Sequence, residues 1–290
     1  MKVLISGGTG FIGARLVETL SAAGHECTIL SRRPGGISVV SYDDLPRLTG
    51  IDAVVNLAGE SVVGLWTERK KQRILDSRVD VTQRIVEWMS GLDVKPRAFL
   101  SGSAVGIYGD RPGEVLDESS QLDPLHRFRY HVCFSWESEA ARAVDHGIRT
   151  VYLRVGNVLD PSGGMLGTME RLFRFMPFLL APAPGASLAW IGLEDAVRMI
   201  RFALEDEQVS GPMNVVAPEG LTNRELFRHI GKLVHRPVIG GIPAGLMRRL
   251  LGDFAGAFAD SQHVVPTVAA EQGFEFRAAS VAQLFDGFRA

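Results

Sequence analysis

Two cysteines in 290 residues, Cys27 and Cys133, cannot build a disulfide framework, and their spacing is not that of a metal-ligand set. That scarcity fits a reducing compartment, so the chain is expected to be cytoplasmic. An excess of either charge is missing too. The 31 Lys plus Arg against 33 Asp plus Glu leave a formal charge of −2, with a pI near 6.4. Such a balance argues against a nucleic-acid or membrane-surface protein held by bulk electrostatics. Strand-like residues begin at Lys2, which leaves no room for a signal peptide. One uncharged stretch, Phe175 to Leu193, is long enough to span a bilayer, but Pro177, Pro182, Pro184, Gly185 and Gly192 interrupt it. It reads as an apolar loop feeding a strand. A hydrophobic content of 46% suits a chain with a large core and excludes dominant disorder.

What is present alternates. Val3 to Ser6, Cys27 to Ser31, Val39-Val40, Ala53 to Leu57, Ala98 to Ser101 and Thr150 to Arg154 read as buried strands. Between them lie helical patterns over Phe11 to Ala23, Thr67 to Met89 and Pro124 to His146. Repeated β-then-α units predict an α/β fold of Rossmann type, a doubly wound parallel sheet. After Asn157 the pattern loosens. Helices are expected over Glu194 to Leu204 and Thr222 to Val234, the latter opened by a capping box of Thr222 with Glu225. The reading is a main domain over 1–240, with substrate-side insertions from about 157, and a short C-terminal domain over 241–290. Leu246, Leu250, Leu251, Phe254 and Phe258 of that tail cannot enclose a core themselves, so the tail is expected to pack on the main body.

The run Gly7-Gly8-Thr9-Gly10-Phe11-Ile12-Gly13 lies between the first strand and the first helix. Glycines at that spacing let the backbone turn tightly and approach a pyrophosphate, which then meets the helix N-terminus. At the end of the second strand an NAD site would carry a carboxylate for the ribose hydroxyls. This chain has Ser31-Arg32-Arg33 and no acid until Asp43. A guanidinium suits a 2′-phosphate, which predicts NADP(H). The small residues of Leu57-Ala58-Gly59 allow a further close backbone approach.

These residues resemble the extended short-chain dehydrogenases/reductases of the NAD(P)-dependent epimerase/dehydratase family. The closer likeness is to its sugar-nucleotide-epimerase-like proteins with a C-terminal domain of unknown function. The matches run from the glycine loop through Ser31-Arg32, NLAGE at 56–60, Ser77-Arg78 and SGSA at 101–104. Tyr108-Gly109, Trp136-Glu137, Arg154 to Leu159, Trp190-Ile191, Asn214, Gln262 and Gly273 to Phe276 continue them. The resemblance adds Leu57, Ala58, Arg78 and Val158 to the cofactor residues. This chain departs from the pattern at Gly192, where a His is usual, and at Ile107-Tyr108, where a tyrosine pair is common.

Catalysis is where the resemblance thins. Hydride-transferring relatives use a Tyr-x-x-x-Lys pair with a Ser or Thr, the lysine lowering the phenol pKa. The four tyrosines, 42, 108, 130 and 152, are followed four residues later by Pro46, Pro112, Phe134 and Gly156. No lysine occurs between Lys95 and Lys232. Arg129 and Cys133 fall near the positions of the missing pair. Ser103 resembles the catalytic serine, and Tyr108 remains as the second family-type hydroxyl. Tyr108 would need tuning by Arg129 or a water chain to donate a proton. Cys133 would need Arg129 or a dipole to become reactive, and His126 and His131 flank the region as possible shuttles.

The leading expectation is an NADP(H)-binding epimerase-like oxidoreductase acting on a small hydroxyl or carbonyl compound, with a nucleotide sugar as one candidate. The alternatives are a catalytically degenerate NADPH sensor, and an interaction protein using the tail with the nucleotide serving structure.

Overall fold

The computed structural model describes residues 1–32, 38–122 and 128–288. Arg33 and His126 lie outside the described residues. Seven strands form one sheet: β1 (Lys2–Ser6), β2 (Glu26–Leu30), β3 (Val39–Val40), β4 (Ala53–Asn56), β5 (Ala98–Ala104), β6 (Arg149–Val155) and β7 (Gly211–Val215). Their order is β3-β2-β1-β4-β5-β6-β7, and every pairing is parallel. The winding reverses between β1 and β4, which opens a crevice at the carboxyl ends of those strands.

Alternation along each strand assigns the two faces. Val3 and Ile5 of β1, with Val55 and Leu100, pack against α1 (Phe11–Ala22) and against a later helix, Leu193–Glu205. Leu4, Val54 and Phe99 pack on the other side against α2 (Glu68–Ser90) and α3 (Phe128–Ala141). Each such Leu, Ile or Val is worth about 1.5–3 kcal/mol when fully buried. Thr67 caps α2 by accepting from the Lys70 amide, and Gly24 follows α1 at φ +84. A second core forms around Leu159, Leu166, Leu179 and Trp190, closed by Phe227 and Ile230 of the helix Asn223–Val234. That helix has the capping box read from its sequence, Thr222 with Glu225.

The stretch 175–193 is more ordered than an apolar loop. Leu179–Pro182 is a strand paired in parallel with Val238–Ile242, and Trp190–Gly192 pairs with Asn157–Asp160. The tail is fastened at several points. His263–Val264 pairs with Val115–Leu116, and Val281 and Phe285 fill the second core. Asp195 accepts from the backbone amides of Arg277 and Ala278. Leu246, expected inward, is half exposed, and the side chains of Leu250 and Leu251 lie outside the described set. No helix among the described residues is long and apolar enough to cross a membrane.

Candidate active site

The glycine loop sits on the crevice because nothing larger fits. Gly7 has φ +78, and a Cβ there would lie 2.7 Å from the Leu57 carbonyl carbon and 2.8 Å from the Ala58 nitrogen. A Cβ on Gly13 would reach to 2.1 Å from the Gly7 carbonyl oxygen. The Gly10 amide donates to that same oxygen at 2.9 Å, closing the turn. Gly10 then starts α1 without a side-chain cap, and the first turn carries no acid. The open amides and positive end of the dipole face an approaching anion.

From here a cleft of about 560 Å³ runs along the strand ends. Gly7, Gly10, Phe11, Ile12, Gly13 and Leu57 line its near part, with Arg78 beyond. Thr9 is exposed beside the loop, Ala58 touches Gly7, and Val158 pairs with Ile191. Ser31 and Arg32 follow directly on β2 one strand away, Arg32 exposed to solvent.

Arg78 is half committed. Its Nη1 donates to the carbonyls of Ile74 at 3.0 Å and Glu60 at 3.2 Å, and the guanidinium lies 5.1 Å over the Trp136 ring. Nε and Nη2 have no hydrogen-bond partner among the described residues. Burial pushes its pKa down, the expected cost of keeping a cation with unused donors in a wall. An anionic ligand would supply what those donors lack.

Ser103, at the end of β5, lines the middle of the cleft, and its hydroxyl donates to Glu137 Oε1 at 2.6 Å. Glu137 lies one turn beyond Cys133 on α3 and accepts from Arg154 Nε and Nη2, both at 2.9 Å. Arg154 Nη1 donates to the Tyr108 hydroxyl at 3.0 Å, which donates to Asn214 Oδ1 at 2.8 Å. A single hydrogen-bonded line therefore joins Ser103 to β7. Burial alone would lower the pKa of Arg154, but its bonds to Glu137 and Tyr108 raise it instead.

Tyr108 belongs to this line rather than to the cleft lining. Its side chain is fully buried and its hydroxyl is spent. Burial raises its pKa against the pull of Arg154, which stands beside it where Arg129 was expected. Arg129 is held instead by Asp260 and the Gly256 carbonyl. Cys133 reaches the cleft wall, but burial, with Glu137 nearby, pushes the thiol up to about 11. It is no thiolate at neutral pH. His131 is exposed on α3 and is not in the cleft lining. Glu137, Arg154 and Asn214 carry the buried line although the sequence assigned them no role. The available signal was an acid one helical turn beyond Cys133, on the helix face that also carries Arg129.

The family model described as the NAD dependent epimerase/dehydratase family matches residues 3–216. This chain belongs to that family. Residues 242–285 of this epimerase-family chain match a domain of unknown function. Epimerase family protein YfhF of Bacillus subtilis is 34% identical over 286 residues, covering 95% of this chain and 94% of its own. A crystal structure of human epimerase family protein SDR39U1 with NADPH superposes with a TM-score of 0.91 at 30% identity, covering 99% of this chain and 98% of that one. The nucleoside-diphosphate sugar epimerase of Corynebacterium glutamicum gives 0.79 at 28% identity, covering 98% of this chain and 57% of that one.

Proposed function

We propose that this epimerase-family chain is a cytoplasmic NADP(H)-dependent oxidoreductase acting on a small hydroxyl or carbonyl compound. A Ser103–Glu137 relay takes over the proton transfer that hydride-transferring relatives give to a tyrosine–lysine pair. The observation that carries the reading is the 2.6 Å bond from a cleft-lining hydroxyl to a carboxylate fixed by a buried arginine. The glycine cradle, the open α1 N-terminus and the spare Arg78 donors fit a dinucleotide, and the NADPH in the human relative's crystal structure agrees. Arg32, with Ser31, would meet the 2′-phosphate.

When bound, NADPH supplies a hydride to a carbonyl carbon and leaves NADP⁺. The chain's own residues handle the proton. In the alcohol-to-carbonyl direction Ser103 takes the substrate's hydroxyl proton as it passes its own to Glu137, and the reverse direction returns it. Arg154 balances the Glu137 charge and fixes its orientation. With no tyrosine–lysine pair in the chain, turnover should fall below that of relatives that carry one. The spent hydroxyl of Tyr108 and the inert thiol of Cys133 support one rival, a protein that holds NADPH without turning it over.

Titration with NADPH followed by a panel of carbonyl compounds separates the two. Saturable binding with substrate-dependent loss of reduced nicotinamide supports the oxidoreductase. Binding without oxidation moves the reading to the holder, and absence of binding removes both.

A further inference from the structure

Past Ser103 the cleft continues between Trp66, Phe128 and Arg129 into a cavity of about 310 Å³ that the C-terminal segment helps enclose through Gly252, Gly256 and Asp260. Two features of this end limit what it accepts.

The first is that its charges are already matched. Arg129 donates to Asp260 Oδ2 at 3.1 Å, to the Gly256 carbonyl at 2.7 Å and to Gln262 at 3.3 Å. Arg248 is held by Asp110 at 2.7 Å and Asp260 at 3.0 Å. Lys71, which lies over the Phe128 ring, pairs with Asp253 at 2.7 Å and Glu68 at 2.9 Å. Among the described residues, every cation of this end has a carboxylate partner. A diphosphate needs donors free to replace its water. Drawing Arg129 or Arg248 away would strip a partner from Asp260, whose side chain is only 5% exposed, and a buried unpaired carboxylate is costly.

The second feature is a wall of rings. Trp66 meets Phe128 edge-on at 5.3 Å and Phe254 at 5.9 Å, and its Nε1 donates to the Val62 carbonyl at 2.8 Å, which fixes the indole. Beside it Val62, Val63 and Leu65 remain 43%, 60% and 64% exposed on the loop between β4 and α2. Apolar groups left in water at the rim of a cleft gain from a ligand that covers them.

Resting on the NADP(H) reading above, we infer that this end takes an uncharged ring compound bearing a carbonyl or hydroxyl group, an aryl ketone in chemical class, and not a nucleoside-diphosphate sugar. Trp66 and Phe128 form the apolar wall for its ring. Arg129 and Arg248, matched by Asp260 and Asp110, keep the floor neutral and exclude a second dianion.

The test uses the full chain saturated with NADP⁺, which allows binding to be read without turnover. The probes are 2-acetylnaphthalene and UDP-glucose, each titrated by saturation-transfer NMR, with the affinity for NADP⁺ measured beforehand. The expected result is saturable binding of the naphthyl ketone and none of UDP-glucose at the same concentration. Trp66→Leu should weaken the ketone at least tenfold, about 1.4 kcal/mol, and leave NADP⁺ affinity unchanged within twofold. Phe128→Leu serves the same purpose if the tryptophan variant misfolds. Tighter binding of UDP-glucose, no ketone binding to an NADP⁺-loaded protein, or ketone binding indifferent to both substitutions would overturn the inference. Failure of NADP⁺ itself to bind would defeat the earlier reading instead.

Discussion

The Ser103 hydroxyl donates to Glu137 Oε1 at 2.6 Å, and the same carboxylate holds both Nε and Nη2 of Arg154. Side-chain exposures of 5% for Arg154 and 12% for Glu137 make this a buried pair, so removing one charge leaves the other stranded. Glu137→Gln should therefore cost about 3–5 kcal/mol. For a chain of this size that lowers the melting temperature by roughly 6 °C or more. A fall of under about 2 °C in calorimetry would show that Arg154 finds another partner.

Cofactor choice should rest on Arg32, exposed just after β2. A guanidinium gives a charge-assisted contact to a 2′-phosphate that NADH lacks. NADPH is expected to bind at least tenfold tighter than NADH, about 1.4 kcal/mol, and Arg32→Ala should abolish most of that preference. Fluorescence titration of both nucleotides decides it, and equal affinities in the wild type would remove the argument.

Alkaline pH should find out Cys133. Burial keeps its thiol neutral up to about 11, where an unfolded chain releases the proton near 9. The folded state thus holds a proton the unfolded state loses, so this group's contribution is intact below pH 9 and declines between 9 and 11. Its size is about 2–3 kcal/mol. Melting temperatures measured across that range should fall less steeply in Cys133→Ala than in the wild type. Parallel slopes would mean the thiol is not buried as described.

How far the sequence spoke can be read from particular residues. Gly7 and Gly13 were legible because backbone geometry dictates residue type: a positive φ and a 2.1 Å approach admit only glycine. Thr222 with Glu225 was legible because a capping box is local. The pairing of Leu179–Pro182 with Val238–Ile242 left no such trace, since short strands that meet across some sixty residues carry no periodicity of their own. The line from Ser103 to Asn214 was hidden for the same reason. Its five side chains come from different parts of the chain, and only their burial makes their partners obligatory. Tyr108 was legible as a family-type tyrosine but not as one whose hydroxyl is used up.

Asp195, 2% exposed, ties the tail to the body through the Arg277 and Ala278 amides and also accepts from Arg198. Asp195→Ala leaves those donors without their acceptor, an expected cost of about 2 kcal/mol. Tryptic cleavage after Arg277 should quicken while NADPH affinity stays near the wild-type value. Unchanged cleavage would mean the strand and apolar contacts alone secure the tail.

The relay itself is tested most directly by single-turnover oxidation of bound NADPH, with an aryl ketone in excess, in the wild type and in Ser103→Ala. Losing a positioned proton-transfer group costs roughly 10²–10⁴ in rate. The account predicts a loss in that range with NADPH affinity unchanged within twofold. Equal rates in the two proteins, or no oxidation in either while NADPH remains bound, would contradict it.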